Sequence, residues 1–383
     1  MTIKNLWLLL SLLLGMSLVA CGPATDDDDS ADDDDDSADD DDDDDEWHAV
    51  VTYGAWGTDA TVATIAVDGL TVTDGALGLL GSDWATVSAD GSPWLIGRSG
   101  TDAVRRYDGL DFSAPTLEFS TGPGTNPQAL GVCAGKVFIP RYDVASDDSG
   151  GGDVGVFDLA TGGPLGSVDL SSFDPVGDGN PEPTGLVQID DMLYVGLQRM
   201  DRSGEWWTAD PVGKVVEIDC ASQTVTRDWD VGTNPVIKAA PSEMVLVKHD
   251  GGVQLVDPVA DVIFDLMVDA TLPSGTATLD AAGTHLGAIH GVEVNSSTNQ
   301  LWCVDTETGV STLLGAFDQR LWSLHAAPDG MIWALWLDHW GTTEIVEDGG
   351  VAVYDPSSCT DVSPEWMSFA SDPGSLSFHN MGN

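Results

Sequence analysis

The chain has 383 residues, with 64 acidic against 13 basic side chains and a formal net charge of −51. So large an acidic excess argues against nucleic acid as a partner, because holding a polyphosphate rests on cations that neutralise it. Such a surface suits salty surroundings, where self-repulsion is screened.

Residues 1–20 read as a processing segment. Lys4 is the only charge ahead of an apolar run from Leu6 to Leu14, which is shorter than the roughly 20 apolar residues of a membrane-spanning helix. The run leads into Leu18-Val19-Ala20-Cys21-Gly22. This resembles the lipobox of bacterial lipoproteins, in which small residues precede a cysteine that receives a diacylglyceryl group and becomes the new N-terminus. The resemblance implies a lipid on Cys21 and export to the cell envelope. Gly22 at the following position is similar to the pattern of outer-membrane sorting.

From Asp26 to Glu46 the chain holds sixteen Asp and one Glu, with no apolar residue larger than Ala. Nothing there can offset the entropy of ordering, so residues 21–46 are expected to form a disordered acidic linker after the lipidated cysteine. Like charges extend it, to roughly 80 Å for residues 22–46 at about 3.3 Å per residue. It lacks the glycine and glutamate placement of a calcium loop.

Residues 47–383 carry the folded part, with a charge of −35 from 47 acids and 12 bases. Short β-branched and aromatic runs alternate with Gly, Asp, Asn and Pro turns, and Glu/Lys helical stripes are absent; this is an all-β pattern. Cys133, Cys220, Cys303 and Cys359 allow three disulfide pairings, and spacing alone does not choose among them.

An internal repeat sets the architecture. A short apolar strand runs up to an Asp-led turn at Asp68, Asp108, Asp158, Asp219, Asp257, Asp305 and Asp355, at spacings of 40, 50, 61, 38, 48 and 50 residues. The Asp carboxylate accepts backbone N–H groups two residues on and sets the turn. Repeats of about 40–50 residues with four short strands each mean a β-propeller. Asn-Pro pairs at Asn126, Asn180 and Asn234 recur every 54 residues, each ahead of an outgoing strand such as KVFIPRYD or MLYVGLQRMD.

The segments GTNPQALGVCAGKVFIPRYD and DVGVFDLATG resemble the blades of YVTN-type, quinoprotein-like seven-bladed propellers. The resemblance spans about residues 82–368, is clear in three repeats, and implies architecture rather than activity. Blades are expected to begin near Ser82, Asn126, Asn180, Asn234, Gly275 and Arg320. The segment around Val50, Ile65 and Leu77 supplies strands b, c and d of a seventh blade without strand a, and Ser375–His379 at the C-terminus supplies that strand. The expected domain is therefore a seven-bladed propeller over 47–383, monomeric and closed by its N- and C-terminal strands; six blades or an open solenoid is the rival.

In a propeller the b–c and d–a loops share the face on which ligands usually sit. The long b–c loops are Tyr142–Asp153, Met200–Gly213 and Asp338–Gly350, and they carry Trp206, Trp207, His339 and Trp340. Exposed Trp rings suit stacking on carbohydrate or peptide; the alternative is packing beneath the loops. Arg98, Arg141 and Lys248 fall at the end of strand b, with Arg199 and Arg202 just beyond. These five of the twelve bases in the folded part form a possible anion-binding collar, or else each pairs with a nearby Asp. Asn126, Asn180, Glu182 and Asn234 on d–a loops are calcium candidates, the alternative being that the Asn-Pro pairs only shape the turn. His285, His290, His325 and His379 fall in or near inner strands and read as core or turn residues.

No nucleophile elbow, P-loop, CxxC or zinc-spaced histidine occurs, so no catalytic residue and no cofactor is assigned. The reading is a membrane-anchored, exported propeller that binds a glycan, a protein or a small anionic ligand at the cell envelope, on the periplasmic side or exposed at the cell surface. The alternative is a propeller enzyme of lactonase-like or quinoprotein-like type working at the channel mouth, and a third is a subunit of an envelope assembly.

Overall fold

The computed structural model describes residues 46–383 except 55–57, 80, 82, 146–149, 205, 269–276, 296–297, 306–309, 338–348, 364–365 and 382–383. Cys21, the acidic tract up to Asp45, His339 and Trp340 lie outside the described residues.

Seven antiparallel sheets of four strands or more follow one another along the chain. Blade 2 comprises Trp84–Ala89, Ser92–Gly97, Ala103–Arg106 and Leu117–Ser120. Blade 3 comprises Gly131–Cys133, Lys136–Val144, Gly151–Asp158 and Pro164–Val168. Blade 4 comprises Pro183–Ile189, Met192–Leu197, Gly213–Asp219 and Thr224–Val231. Blade 5 comprises Val236–Ala240, Met244–His249, Gly252–Asp257 and Val262–Val268. Blade 6 comprises Ala277–Thr284, Gly287–Asn295, Thr298–Val304 and Ser311–Phe317. Blade 7 comprises Arg320–Ala326, Ile332–Leu337 and Gly350–Asp355, with its outer edge split between Thr360–Asp361 and Met367–Ser368.

Blade 1 is built from both ends of the chain. Trp47–Tyr53, Ala60–Ala66 and Val72–Leu79 form its strands b, c and d, and Pro373–Asn380 is its strand a. The register runs from Trp47 opposite Asn380 to Tyr53 opposite Pro373, antiparallel, with one irregularity at Thr52/Tyr53. This is the closure that the sequence implies, and it removes the free edges that an open ring would present.

Every Asp-led turn stands at the c–d corner of a blade. At Asp158 the carboxylate accepts from Thr161 N (2.9 Å), at Asp219 from Ser222 N (2.7 Å), and at Asp257 from Val259 N (3.0 Å) and Ala260 N (2.9 Å). At Asp355 it accepts from Ser357 N (2.8 Å). Hydroxyl and amide donors to the ionised form hold the carboxyls of Asp158, Asp219 and Asp355 below the usual range.

The core lies between blades, in apolar clusters that each span one seam. Val51, Ile65 and Leu376 of blade 1 meet Trp333, Leu335 and Val353 of blade 7. Val50, Val62 and Leu79 meet Leu95 and Tyr107 of blade 2 on the other side. Phe138, Val154 and Val156 of blade 3 meet Val195 and Ile218 of blade 4, and Cys133–Cys220 crosses the same seam as a disulfide. Alternation makes this possible: both faces of an inner strand are covered by a neighbouring blade, so runs such as IWALWL (332–337) are apolar throughout and fully buried. Among the described residues, no helix is long and apolar enough to cross a membrane.

Because adjacent strands are antiparallel, a–b and c–d turns share one face, and b–c and d–a loops the other. Both ends of the described domain reach the a–b/c–d face, where Met381 N donates to Glu46 O (2.9 Å).

Candidate functional site

On the b–c/d–a face, the loops of blades 3 and 4 converge. Pro181 and Glu182 on the d–a connection into blade 4 run beside Gln198 and Arg199: Gln198 N donates to Glu182 O (3.2 Å) and Arg199 N to Pro181 O (3.1 Å). Glu182 and Arg199 both adopt left-handed backbone, with φ of 49° and 59°. Non-glycine residues hold that conformation only where their surroundings enforce it, and such positions gather at functional sites. Beyond Arg199, the b–c loop folds into its own small hairpin, Met200–Asp201 against Thr208–Ala209, which the sequence pattern does not announce.

This hairpin sets Arg202 at the centre of the cluster. Arg202 Nη1 lies 2.5 Å from Asp143 Oδ1, and Nε lies 2.8 Å from Glu182 Oε1. The second contact is an approach of opposite charges outside hydrogen-bond geometry. The guanidinium is sandwiched between aromatic faces, 4.9 Å from the Tyr142 ring centroid and 4.4 Å from that of Trp207. Asp143 in turn accepts from Asn126 Nδ2 (2.9 Å), and Tyr142 donates to Gln198 Oε1 (2.8 Å). Glu182 is completely buried. Burial pushes its carboxyl up to about 7, against the opposing pull of the Met200 amide, which donates to Oε2 at 2.6 Å, and of Arg202.

The two tryptophans remain on the outside of this assembly. Trp206 is 80% exposed and Trp207 57%, with Trp207 fixed from beneath by the guanidinium it stacks on. The packing alternative weighed for these rings therefore does not describe them in this structure.

The side chains of the other candidate cations do not join the cluster. Arg141 is buried and makes a bidentate pair with Asp153 (2.7 Å at both oxygens) and a bond to Thr121 O (3.1 Å). Arg98 pairs with Asp83 at 2.6 Å. Arg199 donates to Phe173 O (2.9 Å) and Val212 O (2.5 Å) and lies 3.4 Å from Asp210. Lys248 faces His290 on the neighbouring blade, whose basicity is lowered first by burial and then by this charge; among the described residues Lys248 has no ion-pair partner. Of the other d–a residues, Asn126 and Asn180 border the cluster through Asp143 and Glu182, and Asn234 stands elsewhere. Asn126 and Asn234 take left-handed backbone at their turns, and Asn234 Nδ2 donates to Asp250 (3.2 Å). Asn180 Oδ1 accepts from Glu182 N at 3.3 Å. Among the described residues, no group of three or more His, Cys, Asp or Glu side chains is placed to hold a metal ion.

Tyr142 and Asp143 are the members that sequence reasoning missed. They lie inside the loop it singled out, but only the tertiary meeting of blades 3 and 4 puts them against Arg202.

A polar belt also lines the inner strands. Lys238 of blade 5 pairs with Asp280 of blade 6 and donates to Leu324 O of blade 7 (2.6 Å), while Leu324 N donates to Asp280 (2.7 Å). His325 and His379 each share a hydrogen bond with the serine two residues earlier, Ser323 and Ser377, at 2.8 Å.

No protein-family model matches the sequence, and a search among curated proteins finds no match. Solved propellers do superpose. A putative 6-phosphogluconolactonase from Bacteroides uniformis aligns with a TM-score of 0.61 at 11% identity, over 87% of this chain and 99% of that one. One from Bacteroides fragilis aligns with a TM-score of 0.60 at 12% identity, over 88% and 99%. The periplasmic gluconolactonase of Pseudomonas aeruginosa aligns with a TM-score of 0.58 at 11% identity, over 87% and 99%. Likeness at this level of identity establishes the seven-bladed fold, which hosts unrelated functions.

Proposed function

We propose that this chain is an exported, lipid-tethered propeller that binds glycan on its b–c/d–a face, with Trp206 and Trp207 as the stacking platform. The observation that carries the reading is the state of the two rings: large, exposed, and in the case of Trp207 pre-oriented by Arg202. A flat indole held in place contributes stacking area at little conformational cost on binding. The carboxylates and amides around it, Asp143, Gln198 and Asp201, are the acceptors and donors that sugar hydroxyls require. Arg98, Arg141, Arg199 and Arg202 are already engaged by carboxylates, so a neutral glycan fits this face better than an anionic one. The lipid on Cys21 and the acidic spacer supply attachment and reach.

Intrinsic tryptophan fluorescence of the full chain, titrated with neutral and uronic-acid oligosaccharides, tests this. A neutral glycan should bind, and Trp206→Ala and Trp207→Ala should each weaken it about two- to tenfold, at roughly 0.5–1.5 kcal/mol per stacked ring. Binding that survives both substitutions, or no glycan binding at all, overturns the reading.

A second reading, lactone hydrolysis, is favoured by one feature, the Glu182 carboxyl held near neutrality. A general acid–base works best with its pKa near the working pH. Against it, Glu182 has no exposed surface and reaches a substrate only if Arg202 moves. Gluconolactone hydrolysis that Glu182→Gln abolishes would select this reading.

A further inference from the structure

Cys303 lies on strand c of blade 6, and Cys359 in the c–d turn of blade 7. Cys303 is buried and Cys359 half-buried, and neither is in a disulfide. Both thiols address one acceptor: Cys303 Sγ lies 3.1 Å from Pro356 O, and Cys359 Sγ lies 3.9 Å from it. Two sulfurs from different blades thus approach one carbonyl oxygen at the seam between blades 6 and 7, and Cys359 packs on the same apolar cluster that contains Cys303.

The existing disulfide also joins neighbouring blades on the a–b/c–d face. Cys133 ends strand a of blade 3, and Cys220 follows Asp219 in the c–d turn of blade 4. In each pair, one blade offers a cysteine at the a–b/c–d end of a strand and the next blade offers one in its c–d turn. The exposed residues Ser357 and Ser358 form the tip of the turn that carries Cys359, a surface turn of the kind that tolerates local movement.

We propose that Cys303 and Cys359 are a second inter-blade disulfide site, closed by a small-molecule or protein disulfide oxidant of the compartment to which the chain is exported. The chemistry is two thiol–disulfide exchanges. The Cys359 thiol, the more exposed of the two, loses its proton to solvent. Its sulfur attacks the oxidant disulfide, expelling one oxidant thiolate and leaving a mixed disulfide. Cys303 then loses its proton and attacks the Cys359 sulfur, and the second oxidant thiolate departs. One S–S bond breaks and one forms, and two electrons pass to the oxidant. Burial pushes the Cys303 thiol up to about 12, so the second exchange is the slow one. The product staples blade 7 to blade 6 beside the closing blade, much as Cys133–Cys220 staples blades 3 and 4.

The test uses the full chain extracted from membranes of an expressing bacterium. It is equilibrated with oxidised glutathione, denatured, alkylated with iodoacetamide, and digested without reduction for mass spectrometry. The expected result is a peptide joining Cys303 to Cys359 beside one joining Cys133 to Cys220, with neither alkyl nor glutathione on any of the four. A Cys359→Ser variant should carry an alkylated Cys303 and an intact Cys133–Cys220 link. The proposal is overturned if the wild-type chain shows alkyl or glutathione on Cys303 and Cys359, or joins either to Cys133 or Cys220.

Discussion

Leu376 is the residue at which closure of the ring can be weighed by a single substitution. It sits on the C-terminal strand, 3% exposed, among Val51, Ile65, Trp333 and Leu335 in the seam between blades 1 and 7. Its neighbours Ser375 and Ser377 turn the other way, toward Thr86 of blade 2: Thr86 N donates to Ser375 Oγ (2.6 Å) and the Thr86 and Ser377 hydroxyls meet at 2.7 Å. Leu376→Ala removes buried methyl groups and leaves a cavity, a loss of about 3 kcal/mol within the usual range of roughly 2–5. A domain of this size has a urea slope near the top of the common range, roughly 3 kcal/mol per M, so the midpoint should fall by about 1 M with the slope unchanged. Val259→Ala, at a side chain 84% exposed, is the control and should not move it. Deleting residues 374–383 goes further. It uncovers the apolar faces of two seams and strips the ladder partners from the edge of Trp47–Tyr53 that faces Pro373–Asn380, and the cooperative transition should disappear. Urea titration followed by far-ultraviolet circular dichroism reads both. A Leu376→Ala midpoint within about 0.2 M of wild type, or a truncated chain that unfolds like the full one, would refute the closure argument.

Two further outcomes follow from buried ionisable groups. Burial pushes the imidazoles of His290 and His379 down to about 4, so between pH 6.5 and 4 the unfolded chain takes up protons that the native one does not. Each of the two therefore loses stability as pH falls, about 2 kcal/mol between pH 6.5 and 5. Buried His325 shifts in the same direction. Glu182, pushed up to about 7, has the opposite sign, because the native state binds its proton first and gains stability on acidification. Unfolding midpoints should fall from pH 6.5 to 5, and more steeply in Glu182→Gln; a rise would contradict the assignment. Arg141→Met strands the buried Asp153 carboxylate and should cost about 3–5 kcal/mol in urea unfolding, whereas Arg141→Met with Asp153→Leu should recover most of that loss; an unaffected single variant would show that the pair is not buried as described.

Much of the fold was legible because the repeat is written in local chemistry. An Asp that caps its own turn does so from a sequence-adjacent position, so the seven corners stand out whatever surrounds them. The closing strand was legible for a different reason: a segment with strands b, c and d but no a leaves a gap that only Ser375–His379 can fill. The site was legible in part. Trp206 and Trp207 could be placed on a long loop, but the meeting of Arg202 with Tyr142, Asp143 and Glu182 depends on two blades 40 to 60 residues apart along the chain coming together. The cations were legible as a level in the ring, yet their partners were not, because Asp83, Asp153 and Asp210 are three among many acids until the backbone aims them. The cysteine pairing was closed to sequence for the same reason, since four cysteines on one face differ only in which seam they adjoin.

The position of Glu46 has a mechanical consequence. The chain enters the domain through Trp47, at the start of a strand flanked on one side by Ala60–Ala66 and on the other by Pro373–Asn380. A pull arriving through the residues ahead of Glu46 and directed along that strand loads both ladders in shear, so their bonds must yield together rather than unzip one at a time. A force applied to the domain ahead of Glu46 thus meets two rows of hydrogen bonds at once.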